Sequence, residues 1–157
     1  MSNQPARSRK SRPVPPTIGW REWTALPELG IDRVKAKVDT GARSSSLHAI
    51  DVEIEEVGDE SWVEFAVHPK QRSARETVRA RARMIDRRWV KSSGGHRTLR
   101  PVIRTIFVVA GVSFEADLTL VSRDAMGFRM LLGREALRKR FLVDSSRSYL
   151  GDKSEAE

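Results

Sequence analysis

The sequence predicts a mainly β fold: a small closed barrel with one short helix near the C-terminal end. Three observations carry this. Val112, Phe114, Ala116, Leu118 and Leu120 alternate with Ser113, Glu115, Asp117 and Thr119, the period-two pattern of a half-buried strand. Turn pairs at Gly58-Asp59, Gly94-Gly95 and Ala110-Gly111 punctuate the strand-like stretches, as hairpins require. One run alone, Arg134 to Arg140, is convincingly built of strong helix formers. A length of 157 residues suits one domain, expected over residues 17–157.

Taken in order, residues 1–16 are rich in Pro, Ser and Arg. They are too poor in apolar side chains to join a core and read as a disordered basic arm. Folded sequence begins near Ile18-Gly19-Trp20, with a short helix expected near Trp20–Ala25. Trp62, Glu64 and Ala66 alternate with Val63, Phe65 and Val67 as a strand. Residues 77–85 contain good helix formers, so helix stays open there. Strand is favoured, because Val78, Ala80, Ala82 and Met84 alternate strictly with Arg79, Arg81 and Arg83, which puts three arginines on one face. Ser92-Ser93-Gly94-Gly95 reads as a hairpin tip between arms near Arg87–Lys91 and His96–Ile103. Pro101 cannot donate to a central ladder, which marks its arm as an edge or flap. Ile103–Val109 is apolar on both faces and joins the alternating strand through Ala110-Gly111. The helix at Arg134–Arg140 ends in cations, which suit the negative end of its dipole.

The chain carries a formal net charge of +8 and no cysteine. Disulfide scaffolds, Cys-based zinc sites and Cys nucleophiles are therefore excluded. No apolar run of about 18 residues exists to span a membrane, and Met1–Pro16 lacks the apolar core of a secretory signal. The expectation is a cytoplasmic protein without membrane contact. Residues 1–16 hold four basic groups and no acid; residues 17–69 hold 5 basic against 11 acidic groups; residues 70–104 hold 12 against 2; residues 105–157 balance at 8 each. The excess thus lies in the arm and one central segment. Such a patch attracts anionic partners, although a solvated face is the plain alternative.

The informative run is Val34 to Ala49, centred on Asp39-Thr40-Gly41-Ala42. An Asp-Thr-Gly at a strand end presents a carboxylate on a tight turn, where glycine permits close backbone approach and the Thr hydroxyl can bond locally. Two such carboxylates face to face share one proton and activate a water between them; aspartic proteases are the standard worked case. Alone, the triplet is an ordinary turn. A second motif lies downstream, Met130-Leu131-Leu132-Gly133-Arg134-Glu135-Ala136-Leu137: hydrophobic residues, then Gly, then a helix opening with Arg.

This pair, in this order and with the Gly94-Gly95 hairpin between, resembles the retropepsin-like aspartic proteases. The resemblance implies a small acid-protease barrel, with the hydrophobic-hydrophobic-Gly strand passing beside the active-site loop into the single helix. Gly19-Trp20-Arg21-Glu22-Trp23, Lys37-Val38-Asp39-Thr40-Gly41-Ala42-Arg43, Arg100-Pro101-Val102-Ile103 and Met126-Gly127-Phe128-Arg129-Met130 are similar to one bacterial subfamily, labelled ATP-dependent zinc proteases. Its RimB-like members trim glutamates that the ATP-grasp ligase RimK adds to the C-terminus of a small-subunit ribosomal protein. The likeness covers roughly residues 18–151.

By this resemblance Asp39 is catalytic. Thr40, Gly41, Ala42 and Gly133 support its loop, Arg134 is structural, and Ser93, Gly94 and Gly95 form a flap. One chain supplies one Asp-Thr-Gly, so a dyad requires a homodimer, with Phe141–Asp144 and Arg147–Leu150 available as interface strands. The expected substrate is the glutamate-rich tail of a ribosomal protein, with a functional link to the ligase. The arm adds a possible RNA contact. The viral-type pattern places an acid after Asp-Thr-Gly-Ala to pair with the arginine at the helix start; Arg43 stands there, so that ion pair is expected to be lost. Arg43 and Lys37, beside the loop, and a remoter rail of Arg79, Arg81 and Arg83 are expected to bind substrate carboxylates. A rail in a strand repeats about every 6.6–7 Å, matching an extended polyglutamate, and Arg pairs bidentately with carboxylates.

The label itself finds little support in the residues. There is no Gly-x-x-x-x-Gly-Lys-Ser/Thr phosphate loop and no His-Glu-x-x-His. His48, His68 and His96 are scattered, so no metal and no other cofactor is expected. Two alternatives remain: a basic β-barrel that binds RNA or the ribosome without catalysis, and a zinc-dependent peptidase.

Overall fold

The computed structural model describes residues 14–70, 75–91, 94–123 and 127–151. Most of the expected arm (residues 1–13), Ser93 of the expected flap, and Met126 lie outside the described residues. The strands run β1 (Thr17–Ile18), β2 (Arg21–Leu26), β3 (Ile31–Val38), β4 (Ser45–His48), β5 (Ile50–Val57), β6 (Glu60–Val67), β7 (Val78–Lys91), β8 (Arg97–Val109), β9 (Val112–Val121), β10 (Met130–Leu132) and β11 (Leu142–Val143), with helix α1 at Arg134–Leu137. Among the described residues no helix is long and apolar enough to cross a membrane.

Six strands close on themselves in the order β2–β3–β10–β4–β9–β8, and β8 returns to β2 through Thr24↔Val109 and Ala25↔Val108. Closure removes the unpaired edges an open sheet would expose. Leu47, Ile103, Phe107, Leu118, Met130 and Leu132 are fully buried in the core, each side chain worth about 1.5–3 kcal/mol in burial. The expected β8–β9 hairpin is present, with Ala110 and Gly111 both at positive φ (52° and 78°), as a two-residue hairpin turn demands.

Outside the barrel, β5 and β6 extend the sheet beyond β7. Residues 78–84 of β7 pair with β6, residues 84–91 pair with β8, and a bulge separates Met84 from Asp86. Residues 78–85 are therefore strand, as favoured for 77–85, but belong to one long strand that runs to Lys91. Pairing of β8 with β9 begins at Val102↔Thr119. Residues 86–91 and 97–101 thus project as a two-stranded ribbon in the position of the expected flap. Pro101 sits in this one-sided stretch opposite Arg87, where the missing donor is tolerated; from Val102 onward β8 is a central strand.

Two expectations are corrected. Trp20–Ala25 is not helical: β2 buries Glu22, Thr24 and Leu26 and turns Arg21, Trp23 and Ala25 outward. A buried polar pair hides the alternation. Glu22 is 1% exposed because its carboxylate accepts three backbone amides, from Gly19 (2.7 Å), Leu150 (2.8 Å) and Gly151 (3.0 Å). The helix is one turn rather than seven residues. Arg138 leaves it with ψ 129° and Lys139 has φ 67°, while Arg140 Nη1 caps the carbonyls of Glu135 and Ala136. The C-terminal segment makes contacts within the chain. Leu142–Val143 pairs in parallel with Thr17–Ile18, and the Arg147 carbonyl accepts from Trp20 (2.8 Å). Arg21 lies over Trp20 and Tyr149, and Tyr149 stacks on Trp23 at 5.6 Å. The motif from Gly19 to Trp23 is thus a clasp for the C-terminal segment.

Candidate active site

Strand β3 delivers Asp39 one residue past its end, and the Asp39 N–H donates to the Leu132 carbonyl at 2.9 Å. Strand β10 lies between β3, parallel, and β4, antiparallel, so Leu132-Gly133 passes beside the loop as expected. Gly133 is required by contact: a Cβ there would stand 2.4 Å from the Ser44 carbonyl oxygen. Its N–H donates to Ser45 Oγ at 3.0 Å.

The loop is held from both sides. Within it, the Gly41 N–H donates to Asp39 Oδ1 at 2.9 Å and the Ala42 N–H to the Asp39 carbonyl at 3.2 Å. From α1, the Arg134 N–H donates to the Ala42 carbonyl (2.7 Å) and the Glu135 N–H to the Arg43 carbonyl (3.1 Å). Arg134 Nη1 donates to the carbonyls of Gly41 (3.2 Å) and Thr40 (3.4 Å). Arg134 thus bonds the backbone of the loop through its side chain. Thr40 contributes its backbone carbonyl to this net and its side chain is exposed. Asp39 is half-buried, with one carboxylate oxygen committed to the loop.

Arg43 is placed differently from expectation. Its Nε donates to Glu135 Oε2 at 2.9 Å. The loop-to-helix ion pair is kept with its polarity reversed: the cation sits on the loop and the acid on the helix. Arg43 holds the Glu135 carboxyl below its ordinary range, against a small desolvation effect and with weaker help from Arg88 and Arg138. Arg43 is thus engaged with Glu135 while its side chain stays 77% exposed beside the loop. Lys37 lies two residues before Asp39, on the outward side of β3 between buried Ala36 and Val38.

Arg79, Arg81 and Arg83 do share an exposed strand face, but they do not form a free rail. Arg79 faces Asp51 (3.7 Å), Arg81 faces Glu55 (3.3 Å) and Glu64 (3.6 Å), and Arg83 faces Glu60 (3.7 Å). The acids of β5 and β6 offset the charge of β7. Gly94 and Gly95 stand at the tip of the projecting ribbon, with Gly95 at φ 87°. Among the described residues no three His, Asp or Glu side chains gather as a metal site would. His48 bonds Arg129, and His68 bonds the Glu76 carbonyl and Thr77.

Sequence reading missed the groove beside the loop. A cavity of about 270 Å³ runs between Ala42, Ser44 and Ser46 on one side and Arg88, Val90 and Arg100 of the flap on the other. Its signal was Arg100-Pro101 in the flap arm, which stood out as a motif but not as a binding element.

Residues 17–154 match the family described as RimB-like, retropepsin-like aspartic endopeptidase RimB. Curated relatives include a probable alpha-L-glutamate ligase of Shewanella pealeana, 45% identical over 141 residues, covering 89% of this chain and 31% of that protein. A protein of the same name from Desulfotalea psychrophila is 46% identical over 127 residues, covering 81% of this chain and 27% of that one. The chain thus spans about a third of the length of the curated relatives it matches. Among solved structures, the Legionella pneumophila protein Lpg0085, of unknown function, superposes with a TM-score of 0.71 at 23% identity, over 87% of this chain and 98% of that one. That likeness concerns the fold.

Proposed function

The chain belongs to the RimB-like family of retropepsin-like aspartic endopeptidases, and we propose that it is a peptidase that trims glutamate tails from a protein C-terminus, with a small-subunit ribosomal protein as the target. The observation that carries the reading is the Asp39 loop. Its carboxylate stands at a strand end, and the loop is locked by backbone bonds from β10 and α1 and by the Arg134 guanidinium. Such rigidity suits a catalytic group more than a surface turn, because pre-organisation is what lets a carboxylate act without rearrangement.

The chemistry needs two such loops, one from each of two chains. Carboxylates a few ångströms apart share one proton, since both cannot ionise easily. The charged Asp39 takes a proton from a water as that water attacks the scissile carbonyl, and the protonated Asp39 of the second copy gives its proton to the carbonyl oxygen. The resulting gem-diol collapses as a proton passes to the leaving nitrogen and the C–N bond breaks. No acyl-enzyme forms. The relatives named as glutamate ligases support a working link between adding and trimming glutamate.

The test is incubation of the protein and its Asp39→Asn variant with a glutamate-tailed peptide, with products read by mass spectrometry. Wild type should shorten the tail and the variant should not, with circular dichroism unchanged. Equal trimming by both would remove Asp39 from the chemistry.

A further inference from the structure

We propose that Arg88 and Arg100 form a carboxylate-binding subsite in the flap groove, which receives a glutamate side chain of the substrate tail. This rests on the reading of an acidic-tail peptidase and names the residues that would recognise the tail. The two arginines are direct cross-strand partners in β7 and β8, so their side chains leave the ribbon on the same face. Both line the groove with Ala42 of the Asp39 loop. Arg88 Nη1 donates to Ser44 Oγ at 3.2 Å, which ties the flap to the residue behind Gly133.

Like charges directly opposite each other on a sheet repel, and among the described residues this pair of arginines has one carboxylate within ion-pair distance. The ion-pair partner of Arg88 is Asp86, two residues away on its own strand, at 3.8 Å. Glu135 feels Arg88 more distantly but is bonded to Arg43 at 2.9 Å. Among the described residues no carboxylate lies within ion-pair distance of Arg100. An arriving carboxylate would relieve the repulsion and could be gripped by planar guanidinium forks. Val90, Val121 and Leu131 supply an apolar wall in the same groove, which suits the methylene stem of glutamate.

The test separates binding from cleavage. In the full chain carrying Asp39→Asn, affinity for a fluorescein-labelled hexaglutamate is measured by anisotropy, with hexaglutamine as the neutral control. Adding Arg100→Gln or Arg88→Gln should each weaken hexaglutamate binding about tenfold and leave hexaglutamine unchanged. Arg81→Gln, which removes the same charge elsewhere, should change neither. Retention of affinity within twofold in both flap variants, equal loss for both peptides, or no binding of hexaglutamate at all would overturn the subsite. Thermal melting matched to the parent secures the folded state. The peptidase reading fails by a different result, absence of cleavage by wild type, which leaves an Arg100-dependent preference for hexaglutamate standing.

Discussion

Strand β7 carries arginine toward both of its ends, and the ends differ in what faces them. Toward its start, Arg79, Arg81 and Arg83 each lie 3.3–3.7 Å from a carboxylate of β5 or β6. Toward the flap, Arg88 and Arg100 face one another across the ribbon, with Asp86 at 3.8 Å as their nearest ion-pair acid. Along the sequence the first group is the denser. In space its field is offset by acids that belong to the acidic stretch of the chain, residues 17–69. Local charge density and cross-strand compensation therefore single out different arginines, and the proposed subsite rests on compensation across neighbouring strands as the guide to where an anion is drawn.

Breaking the loop that the flap faces should have the largest effect. Gly133→Ala forces a Cβ against the Ser44 backbone, which cannot swing away as a side chain would. A cost of about 3 kcal/mol or more is expected, read as a lowered melting temperature together with loss of hexaglutamate binding, while the ion pairs at the start of β7 are untouched. A variant as stable as the parent, with binding intact, would mean that β10 does not lock the loop.

A second experiment turns the compensated end into an uncompensated one. Glu55→Gln with Glu64→Gln strips Arg81 of both partners. Affinity for hexaglutamate at low salt should then rise several-fold, and the gain should vanish near 1 M salt, where screening acts over about 3 Å. No gain at low salt would show that these acids do not silence the ladder.

The smallest effect sharpens the reversed ion pair. Arg43 keeps Glu135 below its ordinary titration range, so the pair stabilises fully above the unfolded-state carboxylate pKa. That contribution is lost as pH falls through the lowered folded value. Both side chains are well exposed, at 77% and 45%, so only a few tenths of a kcal/mol are expected. Glu135→Gln should be slightly less stable than wild type at pH 7 and indistinguishable from it near pH 2, by denaturant titration. A gap that persists at low pH would assign the effect to packing.

These contrasts also mark what sequence could reveal. The β class, the β8–β9 hairpin, the strand over residues 78–84, and the meeting of the Asp39 loop with Gly133 were all legible, because alternation, turn residues and motif order are local. Strand β2 was not, since its buried alternate positions include Glu22 and Thr24, and a carboxylate satisfied by three amides looks polar in any pattern. The Arg43–Glu135 pair joins residues 92 apart, and no spacing rule reaches that far. Arg88 was hidden by the bulge after Met84, which shifts the register by one. Even-numbered residues beyond it take the face that odd-numbered residues hold before it.

The central claim is that water is activated by two Asp39 carboxylates, one from each of two chains. It is tested most directly by mixing wild-type and Asp39→Asn protein at fixed total concentration, letting subunits exchange, and following the shortening of a glutamate-tailed peptide by mass spectrometry. If both carboxylates are needed, activity falls as the square of the wild-type fraction. A linear fall would mean that each chain works alone and would contradict the account.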